Sequence, residues 1–153
     1  MVLPPLTPEL NVSSLERSLE FYVGVLGFEV AFERPEERFA AIGLDGAFLM
    51  LDEMKETHAV TDKEFVEDRA WRTGEVNYPY GRGMNFLITV KDIEGMYQRI
   101  SDSKFTVKVP MEEKWYRVKD KEVGVKQFLI LDPDGFLLRF DCDFGTRSVQ
   151  KNI

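Results

Sequence analysis

One unit of sequence occurs twice in this chain. Val12-Ser13-Ser14-Leu15-Glu16 and Val90-Lys91-Asp92-Ile93-Glu94 share a helix-opening pattern. Asp45-Gly46-Ala47-Phe48-Leu49-Met50-Leu51 and Asp134-Gly135-Phe136-Leu137-Leu138-Arg139-Phe140 share a second pattern, a turn followed by an apolar strand. In each copy the helix signal precedes the turn signal. A duplicated strand–helix–strands unit accounts for both, and such units bury their apolar faces against one another.

The chain of 153 residues suits a single domain, 1–153, with a core of its own. The first module spans 5–52, a linker 53–83 and the second module 84–145. In module one, 8–12 alternates as a strand, and Ser13 with Glu16 reads as a capping box. Leu15, Leu19, Tyr22, Val23 and Leu26 then share a helical face, closed by Gly27. Strands follow at 28–32, 38–44 and 47–51, the last two joined by Asp45-Gly46. The linker carries a charged helical patch, 62–71, and a loop, 78–83; its length points to a lid, a dimer contact or a crossover. In module two, a strand at 84–90 leads to a helix capped by Asp92, with Ile93, Met96, Tyr97 and Ile100 on one face. Strands are expected at 105–109, 115–119, 125–131 and 136–142, with a tight turn at 132–135. Residues 111–114 and 119–122 read as solvated turns, and 145–153 as a polar, fraying tail.

Charge and composition exclude some functions. A formal net charge of −7 opposes binding to a phosphate backbone, so no nucleic-acid partner is expected. An acidic surface favours cationic small molecules, although it also serves solubility. No apolar run approaches the roughly 20 residues of a membrane span, and no signal peptide is visible, so no membrane partner is expected. Cys142 is the one cysteine, which excludes an intrachain disulfide and fits a cytoplasmic setting. By strand alternation it belongs to the core. His58, the one histidine, lies in the linker with no evident nucleophile beside it, so no catalytic triad is expected.

Four segments carry a family resemblance: Val12 through Tyr22, Leu26-Gly27-Phe28, Asn85 through Asp92, and Asp132-Pro133-Asp134-Gly135-Phe136. Through them the chain resembles the glyoxalase/bleomycin resistance protein/dioxygenase superfamily, the vicinal oxygen chelate proteins. The resemblance implies an α+β fold, with paired βαβββ modules forming a cup-shaped curved mixed sheet, and a homodimer. It also implies where a metal enzyme of the family would hold its ion. Counting seven residues back from Ser14 and Asp92, and four on from Gly46 and Gly135, gives Thr7, Asn85, Met50 and Arg139. Metal enzymes of the family carry His, Gln or Glu there. Thr and Asn are weak neutral donors, Met is soft, and Arg is a fixed cation, so no metal and no cofactor are expected. The resemblance therefore leans to the metal-free bleomycin-resistance branch, whose members sequester a cationic antibiotic using acidic crevices and aromatic faces at the dimer interface. Phe39 matches one such aromatic. A second would fall near Gly124, and Trp115 and Tyr116 on the preceding strand are the substitutes.

Strand alternation selects the side chains that face the cup. Leu10 and Val12 go to the helix layer, so Thr7, Glu9 and Asn11 face the cup. Phe48, Met50 and Asp52 join them, with Asn85, Leu87 and Thr89, and with Leu137, Arg139 and Asp141. The candidate ligand-binding set is Glu9, Asn11, Phe39, Phe48, Met50, Asp52, Asn85, Trp115, Tyr116, Arg139 and Asp141, with no catalytic residue among them. Glu9, Asp52 and Asp141 could hold a cationic ligand; equally, Glu9 or Asp141 could neutralise Arg139. Trp71, Trp115 and Tyr116 could stack on a planar ligand or fill a core or interface. Arg139 could instead grip an anion. The expected function is a metal-free small-molecule binding protein of the bleomycin-resistance type. A metal-dependent glyoxalase-like lyase or dioxygenase is the alternative, and a non-catalytic interaction module the second.

Overall fold

A computed structural model describes residues 3–57 and 61–149. His58 and residues 150–153 lie outside them. Two four-stranded mixed sheets form, in the orders β1-β4-β3-β2 and β5-β8-β7-β6. The first comprises β1 (Glu9–Val12), β2 (Glu29–Arg34), β3 (Phe39–Leu44) and β4 (Ala47–Glu53). The second comprises β5 (Phe86–Thr89), β6 (Val107–Val118), β7 (Lys121–Leu131) and β8 (Leu137–Ser148). In each sheet the first strand pairs parallel with the last and the others pair antiparallel, as a repeated βαβββ unit requires. The helices are α1 (Leu15–Leu19), which continues as a π-helical stretch over Glu20–Leu26, α2 (Asp62–Arg69) in the linker, and α3 (Ile93–Ser101).

One apolar core joins the two modules. Leu10, Val12 and Leu51 from the first sheet pack with Phe21, Tyr22 and Leu26, with Ile93, Met96 and Ile100 of α3, and with Phe128, Ile130 and Phe140 from the second sheet. Arg99 of α3 donates to the carbonyls of Val25 (3.0 Å) and Leu26 (3.1 Å), satisfying the end of the first helix. The repeated motifs are themselves the docking contacts. Asp45, in the turn of module one, accepts from the Lys91 amide at the helix entry of module two (2.8 Å). Asp134, in the matching turn of module two, accepts from the Ser13 amide at the helix entry of module one (3.0 Å) and from the Ser13 hydroxyl. Each Asp-Gly turn thus holds the other copy's strand–helix junction.

Several local expectations need correction. Ser14, not Ser13, caps α1, accepting from the Arg17 amide at 3.3 Å, because Ser13 is taken by Asp134. Glu53, buried at the end of β4, replaces Glu16 as the carboxylate at that helix start and accepts from the Leu15 amide (2.9 Å). The wider π-helical turn rotates the buried face, so Ser18, Phe21, Tyr22 and Leu26 go inside while Leu15, Leu19 and Val23 are only partly covered. The strands expected at 105–109 and 115–119 are one strand, β6, and the 111–114 charge run lies in it rather than in a turn. It pairs with β7 through Glu112, Glu113 and Lys114, whose three consecutive exposed side chains show that both faces of this edge strand are wet there. The segment expected to fray from residue 145 continues β8 to Ser148, paired with β7. Cys142 is half-buried and packs against the core.

Gly135 is the turn position that tolerates no side chain. Its φ is +90°, and an added Cβ would lie 2.6 Å from the Pro79 Cα. Gly135→Ala is therefore expected to cost about 2–3 kcal/mol from backbone strain and overlap. Urea unfolding would read this as a lower midpoint at an unchanged slope. Gly46→Ala, also at positive φ but in open space, should cost less.

Candidate functional site

Alternation along the first sheet sends Leu10, Val12, Leu49 and Leu51 to the core and leaves Glu9, Asn11, Phe48, Met50 and Asp52 on the open face. The register sets Asn11 and Phe39 on either side of Asp52, and Glu9 and Ala41 on either side of Met50. Phe48 lies against Gly43; a Cβ there would approach its ring to 2.6 Å. Phe39, only 4% exposed, forms a floor. The Arg34 guanidinium stands 4.0 Å above its ring, and the Phe32 ring lies 6.0 Å away.

Over this face, α2 and the turn after β2 close a crevice of about 410 Å³. Its walls carry Glu9, Glu36, Glu37, Asp52, Glu64, Glu67 and Asp68 against Arg34 and Lys55, with Phe39 and Trp71 as aromatic surfaces. The cations are partly engaged: Arg34 pairs with Glu37 (2.6 Å), and Lys55 Nζ donates to the Glu37 carbonyl (3.0 Å). Asp68 is satisfied by Arg72 (2.9 Å) and the Lys55 amide (3.2 Å), which ties α2 to the sheet. Thr61 and Glu64 form a full capping box at the start of α2. Burial, and then the Glu9 charge, push the Asp52 carboxyl up to about 6. An ammonium or other cation beside Asp52 would oppose this rise by favouring the ionised carboxylate. Trp71 stands at the rim, 78% exposed.

The second sheet holds a separate polar group. Gln127, 3% exposed, donates through Nε2 to Glu112 (2.9 Å) and to the Tyr116 hydroxyl (2.7 Å). Its amide oxygen accepts from Arg139 Nε at 3.1 Å, and the Arg139 guanidinium lies 5.1 Å from the Tyr116 ring centroid. Asp141 accepts from the Thr89 hydroxyl (2.6 Å). Neither Glu9 nor Asp141 therefore pairs with Arg139; its Nε donates to the neutral amide oxygen of Gln127 instead. Trp115 and Tyr116, expected together, face opposite ways along β6. Trp115 packs edge-on against Phe144 (5.3 Å), beneath the Arg147 guanidinium (4.0 Å). Its ring also crosses Gly124: a Cβ there would lie 3.0 Å from Trp115.

The candidate residues thus divide by sheet. Glu9, Asn11, Phe39, Phe48, Met50 and Asp52 belong to the first; Asn85 precedes β5, and Trp115, Tyr116, Arg139 and Asp141 lie on strands of the second. Sequence reasoning missed the outer wall of the crevice, Glu36, Glu37, Glu64, Glu67 and Asp68. The signals for it were the acidic turn after Pro35 and the charged linker patch. At the family metal positions, the Thr7 hydroxyl is used by the Pro4 carbonyl (2.9 Å) and Arg139 by Gln127. Met50 and the exposed Asn85 are poor ligands for a hard or borderline divalent ion. Among the described residues no group of three or more His, Cys, Asp or Glu is arranged to hold a metal. The donor set does not fit the metal chemistry of this fold.

Paired βαβββ modules with polar residues on their open sheet faces define an α+β class of cup-forming proteins. The chain belongs to the glyoxalase/bleomycin resistance protein/dioxygenase superfamily, whose family model matches residues 5–140. It is 34% identical to a superfamily member from Vibrio splendidus 12B01, over 90% of this chain and 97% of that one, with a TM-score of 0.39. TioX from Micromonospora sp. ML1 is 19% identical, with a TM-score of 0.64 and coverage of 91% and 98%. A lactoylglutathione lyase from Agrobacterium tumefaciens is also 19% identical, with a TM-score of 0.55 and coverage of 91% and 92%. No curated protein matches the chain. No described helix is long and apolar enough to cross a membrane.

Proposed function

We propose that the protein binds a small, planar, cationic organic molecule without metal, in the manner of a bleomycin-resistance protein that sequesters its ligand. The observation that carries this reading is the acidic crevice of module one, with Phe39 as floor, Trp71 at the rim and Asp52 beside Glu9. A planar cation would gain on both counts: charge against Glu9 and Asp52, and stacking against the aromatic faces. The poor donor set at Thr7, Met50, Asn85 and Arg139 supports binding over the metal-dependent lyase or dioxygenase reading. The proposal extends to a cytoplasmic homodimer; the exposed Met84 beside the second sheet is apolar surface for a partner copy to cover.

Trp71 is placed to report occupancy, and Trp115→Phe removes the other indole. Titrating that variant with bleomycin and with ethidium should give a saturable change in Trp71 emission. Elemental analysis of protein purified without chelators should find less than stoichiometric metal. A tightly bound Ni, Zn, Fe or Mn per chain would favour the enzyme reading, and no response to either cation would favour a crevice closed by its own side chains.

A further inference from the structure

We infer that Arg139 forms a second recognition point, on the second sheet, for the carboxylate of a small organic acid with an apolar body. It stands independently of the acidic crevice, since the residues involved are on the other module.

The guanidinium is held in place and only partly used. Gln127 is nearly inaccessible, and both hydrogen bonds of its Nε2 go to Glu112 and Tyr116. That fixes the amide with its oxygen toward Arg139, where it accepts from Nε. Tyr116 supports the guanidinium from one face. Among the described residues, no carboxylate pairs with Arg139, and its two Nη atoms have no hydrogen-bond partner. An arginine with Nε fixed and its Nη edge open presents the parallel donors that a carboxylate takes bidentately.

The surroundings narrow the ligand. Leu87 pairs with Arg139 from β5 and Leu129 from β7, and Leu87 is 51% exposed. This is an apolar surface beside one fixed cation. Glu112 contacts Gln127, and Asp141 lies opposite Gln127 across the ladder, so local negative charge disfavours a dianionic phosphate. A monocarboxylate with an aromatic or aliphatic body satisfies both features. Gln127 acts through Arg139 as a positioning residue.

The test uses 2-naphthoate as probe, with 2-naphthamide and inorganic phosphate as comparisons, read by calorimetry and by the Arg139 Nε–Hε resonance. The wild-type chain should bind naphthoate, shift that resonance, and bind the amide and phosphate at least about tenfold more weakly. Arg139→Gln should weaken naphthoate about 30-fold and leave the amide unchanged. Arg139→Lys, which keeps charge but not the fork, should fall between. Gln127→Leu, which removes the acceptor that fixes Nε, should weaken naphthoate by less than Arg139→Gln does, and Gln127→Glu, which gives Arg139 a carboxylate partner and faces Glu112, should weaken it as well. Equal binding of naphthoate and naphthamide would overturn the inference, as would naphthoate binding that survives Arg139→Gln. So would a change in sedimentation mass with Arg139→Gln and no naphthoate binding, since the guanidinium would then serve a second copy of the chain.

Discussion

Replacing Asp132 by alanine is expected to destabilise the protein by about 3–5 kcal/mol. The Asp132 side chain is 3% exposed. Its Oδ1 accepts from the amides of Asp134 and Phe136, both at 2.9 Å, and its Oδ2 from the Tyr22 hydroxyl at 2.8 Å. Tyr22 is wholly buried in the core beneath the first helix. Alanine would leave a phenol and two amides without partners where water does not reach, and each such group costs about 1–3 kcal/mol. The same turn carries Asp134, which docks module two on Ser13, so the loss spreads to the junction between modules. Tyr22→Phe removes only one of the three donors and should cost about 1–2 kcal/mol. Burial pushes the Asp132 carboxyl up to about 6, against the lowering effect of Tyr22 and the backbone amides. A raised carboxyl pKa contributes stability at acid pH that is lost as pH rises through about 6. The gap between wild type and Asp132→Ala, measured by urea unfolding, should therefore be wider at pH 5 than at pH 8. An unchanged midpoint would show that the Tyr22–Asp132 contact carries no stability.

Removing the two charges at the base of the crevice should weaken a planar cation about 100-fold. Glu9 and Asp52 lie on adjacent, parallel-paired strands, and Asp52 faces Phe39 across the next pair. Each lost charge contact in a half-buried site is worth about 1–2 kcal/mol, so Glu9→Gln with Asp52→Asn removes most of the electrostatic attraction. The wild-type affinity should rise between pH 5 and pH 7, as Asp52 ionises near its raised value of about 6. Glu9→Gln takes away the second-largest cause of that rise and should move the inflection toward lower pH. The same substitutions bring an opposite effect on stability. A carboxyl with a raised pKa opposes folding above that value, so Asp52→Asn should stabilise the chain at pH 8, by about 1 kcal/mol once solvent screening of a half-exposed group is allowed for. Tighter folding with weaker binding would mark a site built for a ligand rather than for the fold.

The duplication made the architecture legible in the sequence. The turn and helix-entry motifs repeat because each turn holds the other copy's helix entry, Asp45 on Lys91 and Asp134 on Ser13. Alternation likewise placed Glu9, Asn11, Met50 and Asp52 on the open face, because the core accepts only the intervening apolar residues. What local pattern does not encode is the identity of partners distant in sequence. Nothing near Ser13 shows that Asp134 claims it, so the cap assignment slipped by one residue. Nothing near Arg139 shows that a neutral glutamine from β7 fixes its guanidinium. The long β6 read as two strands because Pro110 and the charges after it resemble a turn, although an edge strand tolerates both. The crevice wall from α2 depends on Asp68 accepting from the Lys55 amide and on Arg72 pairing with Glu56, contacts across the linker that no periodicity announces.

The most direct test of a metal-free cation site in module one is amide and indole chemical-shift mapping on chelator-treated protein titrated with ethidium. Shifts should saturate and gather at Glu9, Phe39, Asp52, Asp68 and the Trp71 indole, and should vanish in the Glu9→Gln, Asp52→Asn protein. Shifts confined to the second module, or appearing only after a divalent metal is added, would contradict the account.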